Sequence, residues 1–549
     1  MFDKKTVIAF AIIAIILFLM PKYNEWLNPG QAKEKARQDS LRTVAQQEIA
    51  QNKTENESQI STQKTVPIIS ENVSTTNQIS EPTSTALANT SSTQKSIVIK
   101  NDKYTLTLSN LGGGTIEQYI FHDYLMWDKS PIKLLNEDGQ TNLGLSYTNK
   151  YQEKIHFDDL AFYSKKFEEY TNYDTIEIDV PLYLKFDLTL KNGMTITKKF
   201  TFYPNKYEFD MTVNIENYRD KMPNSKYTLN WNTDFNITEK LKQSDLQYSI
   251  VYAKVGDELV TLKLKKKHQN IKTDGNTKWI SVRSKYFMGT IIPTSKDGIA
   301  STISGILNAD SRDFSASVDM RLPNTNQHSD QFRIFIAPLE KDYLSSFNVG
   351  LEQIVIWGWK VIQPISIGIM WLLQFLHKYI ANYGFVLLIF SILIKLLVYP
   401  LTHKSYESMK KMQALQPELT EIKEKYKNNK QQLNTKTMEM YKEYGVNPLG
   451  GCLPMLIQMP LLIALFNVFR TTIELRNEPF IFWIKDLSSP DVIFTLPFNI
   501  PMYGNAVSVL PFLMAGMMFI QQKLTGTNSS NPQQKYMMYF MPIFMLLIF

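Results

Sequence analysis

The sequence predicts a multi-pass α-helical membrane protein with an inserted all-β domain. Three features of its 549 residues indicate this fold. An apolar segment stands near the N-terminus, residues 96–345 alternate apolar and polar side chains, and residues 351–401 and 449–549 are crowded with apolar side chains. Short-period alternation is typical of strands, whereas long uninterrupted apolar runs are typical of membrane helices.

The composition excludes several classes of protein. A single cysteine, Cys452, leaves no internal disulfide framework and no cysteine cluster for a structural zinc site. The 59 basic and 52 acidic residues give a net charge of +7, which for this length does not by itself indicate nucleic-acid binding. The positions of the basic residues are therefore more informative than their sum.

The first predicted element is a transmembrane anchor over residues 1–27. Lys4 and Lys5 precede an apolar run, and extension of the segment through Trp26 makes it long enough to cross a bilayer. Residues 21–27 lack the small-residue pattern of a signal-peptidase site, so an uncleaved anchor is favoured over a cleaved signal. The two lysines place the N-terminus in the cytoplasm.

A polar linker and a β domain follow the anchor. Residues 28–95 are charged or rich in Ser, Thr, Asn and Gln, and they carry too little apolar surface to offset the entropy cost of ordering. Residues 96–345 alternate as in Thr195–Tyr203, which is typical of half-buried antiparallel strands and predicts a large sandwich. Gly112–Gly114 lies between two strand patterns, where a tight turn is expected.

The β domain offers no pattern for catalysis. Its histidines lack the spacing of metal ligands, its acidic pairs are typical of solvated faces, and it contains no nucleophile motif or phosphate loop. We therefore expect no enzymatic activity, no cofactor and no metal site.

Residues 351–378 are expected to form an interfacial amphipathic helix region. Leu351–Gln363 mixes charges with two tryptophans, which suits a helix on the membrane surface, and Pro364 should end that helix. The apolar stretch that follows is too short to span the bilayer alone. A transmembrane core is predicted over residues 379–549, with spans beginning at Tyr379, Leu449, Tyr503 and Tyr536.

Residues 404–444 are expected to form a helical hairpin between the first two core spans. The connection at 402–445 holds nine lysines and six glutamates, which places it in the cytoplasm. Apolar residues at three-four spacing form one face, and a turn is expected at Lys427–Lys430. The hairpin is either a solvated coiled hairpin or a docking arm, and the sequence leaves both open.

Lys395 is the candidate functional residue of the core. A lysine at the centre of a span costs roughly 2.5–3.5 kcal/mol on insertion scales, and Ser391, four residues earlier, shares its helix face. Its stem either extends to the cytoplasmic interface or lines a water-filled cavity. Gln458 and Gln521, on later spans, either share that cavity or form interhelical hydrogen bonds.

Several short motifs stand in a fixed order along the chain. The core contains Tyr399-Pro-Leu-Thr402, Asn447-Pro-Leu-Gly-Gly-Cys452, Gln458-Met-Pro460 and Phe519-Ile-Gln521, and the β domain contains Leu111-Gly-Gly and Ile334-Phe-Ile-Ala-Pro338. The ordered set resembles the bacterial YidC family of membrane protein insertases, in its Gram-negative type with a large periplasmic domain.

This resemblance implies an insertase and chaperone of the bacterial inner membrane, with residues 28–350 in the periplasm and a β-supersandwich domain over residues 96–345. The implied partners are nascent membrane proteins, the Sec translocon, the ribosome and membrane lipids. Family members attract acidic substrate segments with a positive side chain in a hydrophilic groove.

The resemblance also assigns candidate site residues. Lys395 stands where the family usually has arginine, and Ser391, Gln458 and Gln521 would be its polar neighbours in the groove. Residues of the hairpin would recruit substrate: Met409, Lys410, Lys411 and Met412.

The end of the sequence departs from the family pattern. The family's fifth core span is longer and is followed by a sixth span and a basic tail, whereas this sequence stops at Phe549, fourteen residues into its last span. We therefore expect a core truncated in its fifth core-type span, with a groove wall missing and ribosome binding weakened.

Two other functions compete with an insertase. A small-molecule transporter with an intramembrane cation would favour paired charges and inverted repeats, and neither is visible. A membrane-anchored carbohydrate enzyme would need a convergent acid/base pair, which the sequence does not show.

Overall fold

The computed structural model describes residues 93–135, 141–232, 234–308, 311–446, 453–500 and 504–524, together with residues 540, 542, 543 and 546. The anchor expected at 1–27, nearly all of the linker expected at 28–95, and most of the span expected from Tyr536 lie outside these residues.

The strands and helices are numbered here in chain order. The strands are β1 (Ser96–Lys100), β2 (Tyr104–Ser109), β3 (Thr115–Leu125), β4 (Pro131–Lys133), β5 (Thr141–Thr148), β6 (Lys154–His156), β7 (Thr175–Glu177), β8 (Leu182–Thr189), β9 (Thr195–Phe202), β10 (Glu208–Glu216), β11 (Lys226–Asn232), β12 (Ile250–Val255), β13 (Glu258–Leu262), β14 (His268–Arg283), β15 (Phe287–Pro293), β16 (Gly298–Leu307), β17 (Arg312–Arg321), β18 (Gln327–Pro338), β19 (Val492–Ile500) and β20 (Gly504–Ser508). The helices are α1 (Lys165–Glu168), α2 (Lys242–Leu246), α3 (Lys341–Ser345), α4 (Gln363–His377), α5 (Tyr383–Ala414), α6 (Gln416–Lys425), α7 (Lys430–Glu443), α8 (Leu453–Thr471) and α9 (Val509–Leu524).

Two sheets form the β domain. The larger sheet has the order β6-β5-β11-β17-β16-β14-β15-β18-β10-β9-β8, with β12 paired to β14 and β13 paired to β12. The smaller sheet has the order β4-β3-β2-β1-β7, in which only β1 and β7 run parallel. One continuous hydrophobic core joins residues of both sheets, so the expected all-β character of the domain is confirmed, whereas the finer sandwich description stays a prediction.

The period-two pattern places alternate side chains in this core. In β10, every second residue from Phe209 to Ile215 is buried while its neighbours are partly exposed. The glycine turn is also confirmed, because Gly112, Gly113 and Gly114 all have positive φ. A Cβ on Gly113 would lie 2.7 Å from the Phe162 ring, so side chains pack where only glycine leaves room.

The region before the membrane core differs from the expectation. The prediction of a helix over Leu351–Gln363 is wrong. Within this segment Leu351–Ile354 forms a 3₁₀ turn, and regular helix begins with α4 at Gln363. Pro364 begins this helix rather than ending one, because proline is tolerated in the first turn, where its missing N–H has no partner to lose. Gly358, with a φ of 94°, interrupts the segment between the two elements.

Helices α4, α5 and α8 share a second hydrophobic core. Its buried members include Leu373 of α4, Val386 and Phe390 of α5, and Ala464 and Val468 of α8. Among the described residues, one helix segment, Tyr383–Pro400, has the length and mean hydropathy, 2.1, needed to cross a membrane. The segment Val509–Gln521 of α9 is apolar but shorter.

The region expected to form the hairpin, 404–444, is helical over most of its length. Helix α5 continues through Pro400 to Ala414, so the first arm is a continuation of the apolar helix followed by α6. The expected turn is present, since Asn429 caps α7 by accepting a hydrogen bond from the Gln432 amide. Leu415, Leu419 and Met440 form a small core between the arms.

The helix expected from Tyr503 begins later. Residues Gly504–Ser508 are β20, which pairs with β19, and α9 starts at Val509. Asp491 Oδ2 accepts hydrogen bonds from the amides of Val509 and Leu510, at 2.9 and 2.8 Å. A carboxylate there satisfies free N–H groups of the first turn, which favours a helix start at this position.

Candidate functional site

Lys395 lies on the exposed side of α5. It is the one charged residue in the apolar segment Tyr383–Pro400, and only 22% of that segment is buried. Among the described residues it has no hydrogen-bond or ion-pair partner. Leu396 and Leu397 beside it are 63% and 74% exposed, so the cation stands on an apolar, open helix surface.

Ser391 lies one turn before Lys395 and is also exposed. Its hydroxyl donates a hydrogen bond to the Leu387 carbonyl, 2.8 Å away within the same helix. A serine bonded back to its own helix still presents oxygen lone pairs outwards. The expected shared face of Lys395 and Ser391 is therefore present.

The two glutamines lie on different helices. Gln458 is exposed near the start of α8, two residues before Pro460, and α8 packs with α5 in the second hydrophobic core. Gln521 is exposed on α9, and α9 contributes no described residue to that core. The sharing of one site by Gln521 and Lys395 stays a prediction.

The hairpin residues have unequal surroundings. Lys410 is exposed, and Lys411 pairs with Glu407 one turn earlier at 3.1 Å, an exposed pair that contributes little stability. Met412 is half-buried against the small core between the arms. Met409 belongs to α5, and its side chain lies outside the described positions.

A methionine on the other arm also has a structural role. Met440 is 5% exposed and lies inside the hairpin core, although a flexible apolar side chain of this kind could adapt to varied substrates. Met438 is 56% exposed and remains available to a partner.

The residue that sequence reasoning missed is Arg476, in the connection after α8. Its guanidinium is 2% exposed and donates through Nε to Glu239 Oε1 at 2.9 Å. It also donates to the carbonyls of Thr238, at 3.1 Å, and Leu125. These acceptors belong to the β domain, so one side chain ties the β domain to the helical region.

Glu239 has a second partner in this buried cluster. Lys285 Nζ lies 3.7 Å from Glu239 Oε2, and burial lowers the pKa of Lys285 although Glu239 opposes the shift. The Arg476 guanidinium also lies 5.7 Å from the centres of the Tyr286 and Phe287 rings. No local pattern marks Arg476, because its partner Glu239 is 237 residues away in the chain.

Within the described part of the chain, no three His, Cys, Asp or Glu residues are grouped so that they could hold a metal ion. His328 Nε2 lies 3.0 Å from Asp330 Oδ1 and 2.7 Å from Lys296 Nζ in a polar cluster of the β domain, where the Tyr227 hydroxyl also donates to Asp330 Oδ2 at 2.8 Å.

A mostly β domain followed by helices, one of which is long and apolar enough to cross a bilayer, is the arrangement expected of a membrane protein with a large domain outside the bilayer. Two family models match the chain in the same order, one described as "YidC periplasmic domain" over residues 96–372 and one described as "60Kd inner membrane protein" over residues 375–549. The chain therefore belongs to the YidC family of inner-membrane proteins with a periplasmic domain.

Curated relatives agree with this assignment. The membrane protein insertase YidC of Chloroherpeton thalassium is 35% identical over 559 residues, covering 100% of this chain and 91% of the relative. Its counterpart in Chlorobaculum tepidum is 35% identical over 466 residues, covering 83% of this chain and 78% of the relative. The family is one of insertases rather than enzymes.

One solved structure is similar to this chain with a low TM-score. An aldose epimerase homologue from C. elegans matches 45% of this chain and 99% of its own, with 7% identity and a TM-score of 0.28. We attach no fold or sugar chemistry to that likeness.

Proposed function

We propose that this chain inserts newly made membrane proteins into the inner membrane through a polar groove in its helical core, with Lys395 as the attracting charge. The observation that carries the proposal is the open, unpaired position of Lys395 on α5, beside Ser391. An unpaired cation on an apolar helix is expensive, and it favours a site where a negative group arrives from outside the chain.

The proposed mechanism is electrostatic and makes or breaks no bond. An acidic residue in the segment that must cross would lose hydration, and attraction to Lys395 would offset part of that loss. The hydrophobic segment of the substrate then enters lipid because its apolar surface leaves water. Lysine supplies the charge without the bidentate geometry of arginine, so it suits varied acidic partners.

The topology of this proposal follows the charges of the loops. The N-terminus and the lysine-rich hairpin at 404–444 would lie in the cytoplasm, and the β domain would lie in the periplasm between two membrane-spanning segments. Further spans over 449–549 would complete a multi-pass core. Lys410, Lys411 and the exposed Met438 would meet nascent chains at the hairpin, alone or beside the Sec translocon and the ribosome.

The test is rescue of a bacterial strain depleted of its own insertase. Lys395→Arg should support insertion, whereas Lys395→Ala and Lys395→Glu should reduce it for clients with acidic translocated segments. Loss of one charge interaction of about 1 kcal/mol corresponds to roughly a fivefold decrease. Insertion is read as protease protection of the client's translocated segment.

Two controls separate charge from folding. Lys378→Ala removes an exposed lysine before α5 and should leave insertion unchanged. Insertion of a client with a neutral translocated segment should not change in Lys395→Glu. Normal insertion of acidic clients by Lys395→Glu would contradict the groove charge, and solute flux into vesicles dependent on Lys395 would favour a transporter instead.

A further inference from the structure

A cavity of about 390 Å³ lies where the β domain meets the helical region. Its walls come from α3 at the end of the β domain, from the segment before α4, from α4 itself and from the end of α8. This volume is within the usual range for small-molecule sites, and it lies apart from the α5 face that carries Lys395.

One part of the wall is apolar and aromatic. It is lined by Trp357, Ile367, Met370, Trp371 and Val468. Met370 and Val468 are buried in the core shared by α4, α5 and α8, so this wall is held rigidly. Flat rings and branched chains of this kind suit the methylenes of a lipid better than a polar solute.

The other part of the wall carries charges of both signs. Lys341 and Asp342 are adjacent on α3, and among the described residues neither side chain has an ion-pair partner. Glu474 also lines the cavity, and Gln374 Nε2 donates to its Oε1 at 3.3 Å while Thr472 donates to its Oε2. The wall thus presents one cation and two carboxyl groups around one volume.

Exposed aromatic rings continue from this cavity along α4 and just beyond its end. Trp371 and Phe375 stack at 5.6 Å between ring centres, and Phe375 meets Tyr379 at 5.4 Å. Trp371 is 64% exposed and Tyr379 is 76% exposed. A row of exposed Trp, Phe and Tyr is typical of the headgroup level of a membrane.

We propose that this cavity binds the headgroup of one zwitterionic aminophospholipid from the periplasmic leaflet. Its phosphate would lie against Lys341, its ammonium against Asp342 and Glu474, and its first methylenes between Trp357 and Trp371. A zwitterion matches a wall of mixed sign, whereas an anionic headgroup would meet two carboxyl groups. The lipid would fill the joint between the β domain and the helical region, which is a role separate from the groove.

Gly368 offers a way to fill the cavity. It lines the cavity on an exposed turn of α4, and a Cβ built there would meet no atom within 4 Å. Gly368→Phe would place a ring in the space of the headgroup, while Gly368→Ala adds one methyl group to the same position. Comparison of these two variants distinguishes the effect of filling the cavity from the effect of replacing glycine.

The experiment is native mass spectrometry of the full chain in detergent with dioctanoyl phosphatidylethanolamine or dioctanoyl phosphatidylglycerol. The wild type and Gly368→Ala should retain one phosphatidylethanolamine, with roughly tenfold preference over phosphatidylglycerol. Gly368→Phe should lose this adduct, and Lys341→Met and Glu474→Gln should each weaken it roughly tenfold.

Matched controls use neighbouring charges that do not line the cavity. Lys360→Met and Glu478→Gln should bind as the wild type does, and they keep the test decisive if Gly368→Phe does not fold. Equal retention of the two lipids, or an unchanged adduct in a folded Gly368→Phe chain, would overturn the proposal. Displacement of the lipid by free phosphoethanolamine at equal concentration would also overturn it, because the methylenes would then contribute nothing.

Discussion

At the scale of single residues, Lys198 is a lysine enclosed in the β domain. It is fully buried, and its ammonium donates to the carbonyls of Gly112 and Leu143, both at 2.6 Å. Burial lowers the pKa of Lys198 to about 7, and the nearby Asp158 charge opposes the shift only in part. The exported domain therefore contains a group that titrates near neutral pH.

We expect the stability of the chain to rise with pH above 7 because of Lys198. In the unfolded chain the lysine pKa is 10.5, so between pH 7 and 10 the unfolded state binds more protons than the folded state. The free energy of unfolding should then increase by up to about 1.4 kcal/mol per pH unit across that window. Thermal unfolding of the full chain in detergent at pH 7, 8 and 9 measures this increase in the free energy of unfolding.

Comparison variants isolate this effect. Lys198→Met removes the titrating group, so the wild type should gain stability relative to it as the pH rises. Lys199→Met removes the exposed neighbour and should keep the wild-type pH dependence. Parallel curves for the wild type and Lys198→Met would show that Lys198 does not titrate in this range.

At the scale of elements, the start of α5 depends on a close contact. Asn382 caps the helix by accepting hydrogen bonds from the amides of Gly384 and Phe385, at 2.9 and 3.3 Å. Phe480, from the connection after α8, packs directly on this turn, and a Cβ on Gly384 would lie 1.9 Å from its ring. The glycine is therefore needed for packing rather than for an unusual backbone angle.

Gly384→Val should destabilise the chain by roughly 1–3 kcal/mol, because Phe480 must leave its position. The measurement is the midpoint of thermal unfolding in detergent. Gly516→Ala in α9, where a Cβ would meet no atom within 4 Å, should cause no loss. Adding Phe480→Ala should recover part of the loss, and a Gly384→Val chain as stable as the wild type would disprove the steric account.

At the scale of the whole molecule, Arg476 connects two regions that are distant in the chain. Its guanidinium and the Glu239 carboxylate are 2% and 8% exposed, so removal of the arginine leaves a buried carboxylate with Lys285, 3.7 Å away, as its remaining ion-pair partner among the described residues. Breaking a buried pair in this way costs roughly 3–5 kcal/mol. The joint between the β domain and the helical region should depend strongly on this one side chain.

We therefore expect Arg476→Met to lower the unfolding midpoint and to speed proteolysis of the connection between α3 and α4. Lys485→Met, an exposed lysine of the same region, should do neither. Unfolding and cleavage of Arg476→Met at wild-type rates would mean that the buried pair contributes no net coupling. Recovery of stability in Arg476→Met with Glu239→Met would identify the unpaired carboxylate as the source of the loss.

Much of the element pattern was predictable from the sequence, because period and composition act locally. Alternation in Thr195–Tyr203 predicted β9, the glycine run predicted a turn, and residues Lys427–Lys430 predicted the hairpin turn. The shared face of Lys395 and Ser391 followed from their spacing of four. Helix boundaries were predicted less well, since whether Pro364 ends or begins a helix depends on the flanking chain.

The sequence by itself determined the class of this protein, a mostly β domain followed by an apolar helical region with one lysine in its long apolar segment. The tertiary structure alone decided which ordinary charges become buried or gathered. Arg476 pairs with Glu239, 237 residues away in the chain, Lys198 donates a hydrogen bond to the Gly112 carbonyl in the glycine turn, and Lys341 and Glu474 line one cavity. The reason is physical, since periodicity reports which face of an element is buried, whereas charge pairing depends on distances that exist only after the elements pack.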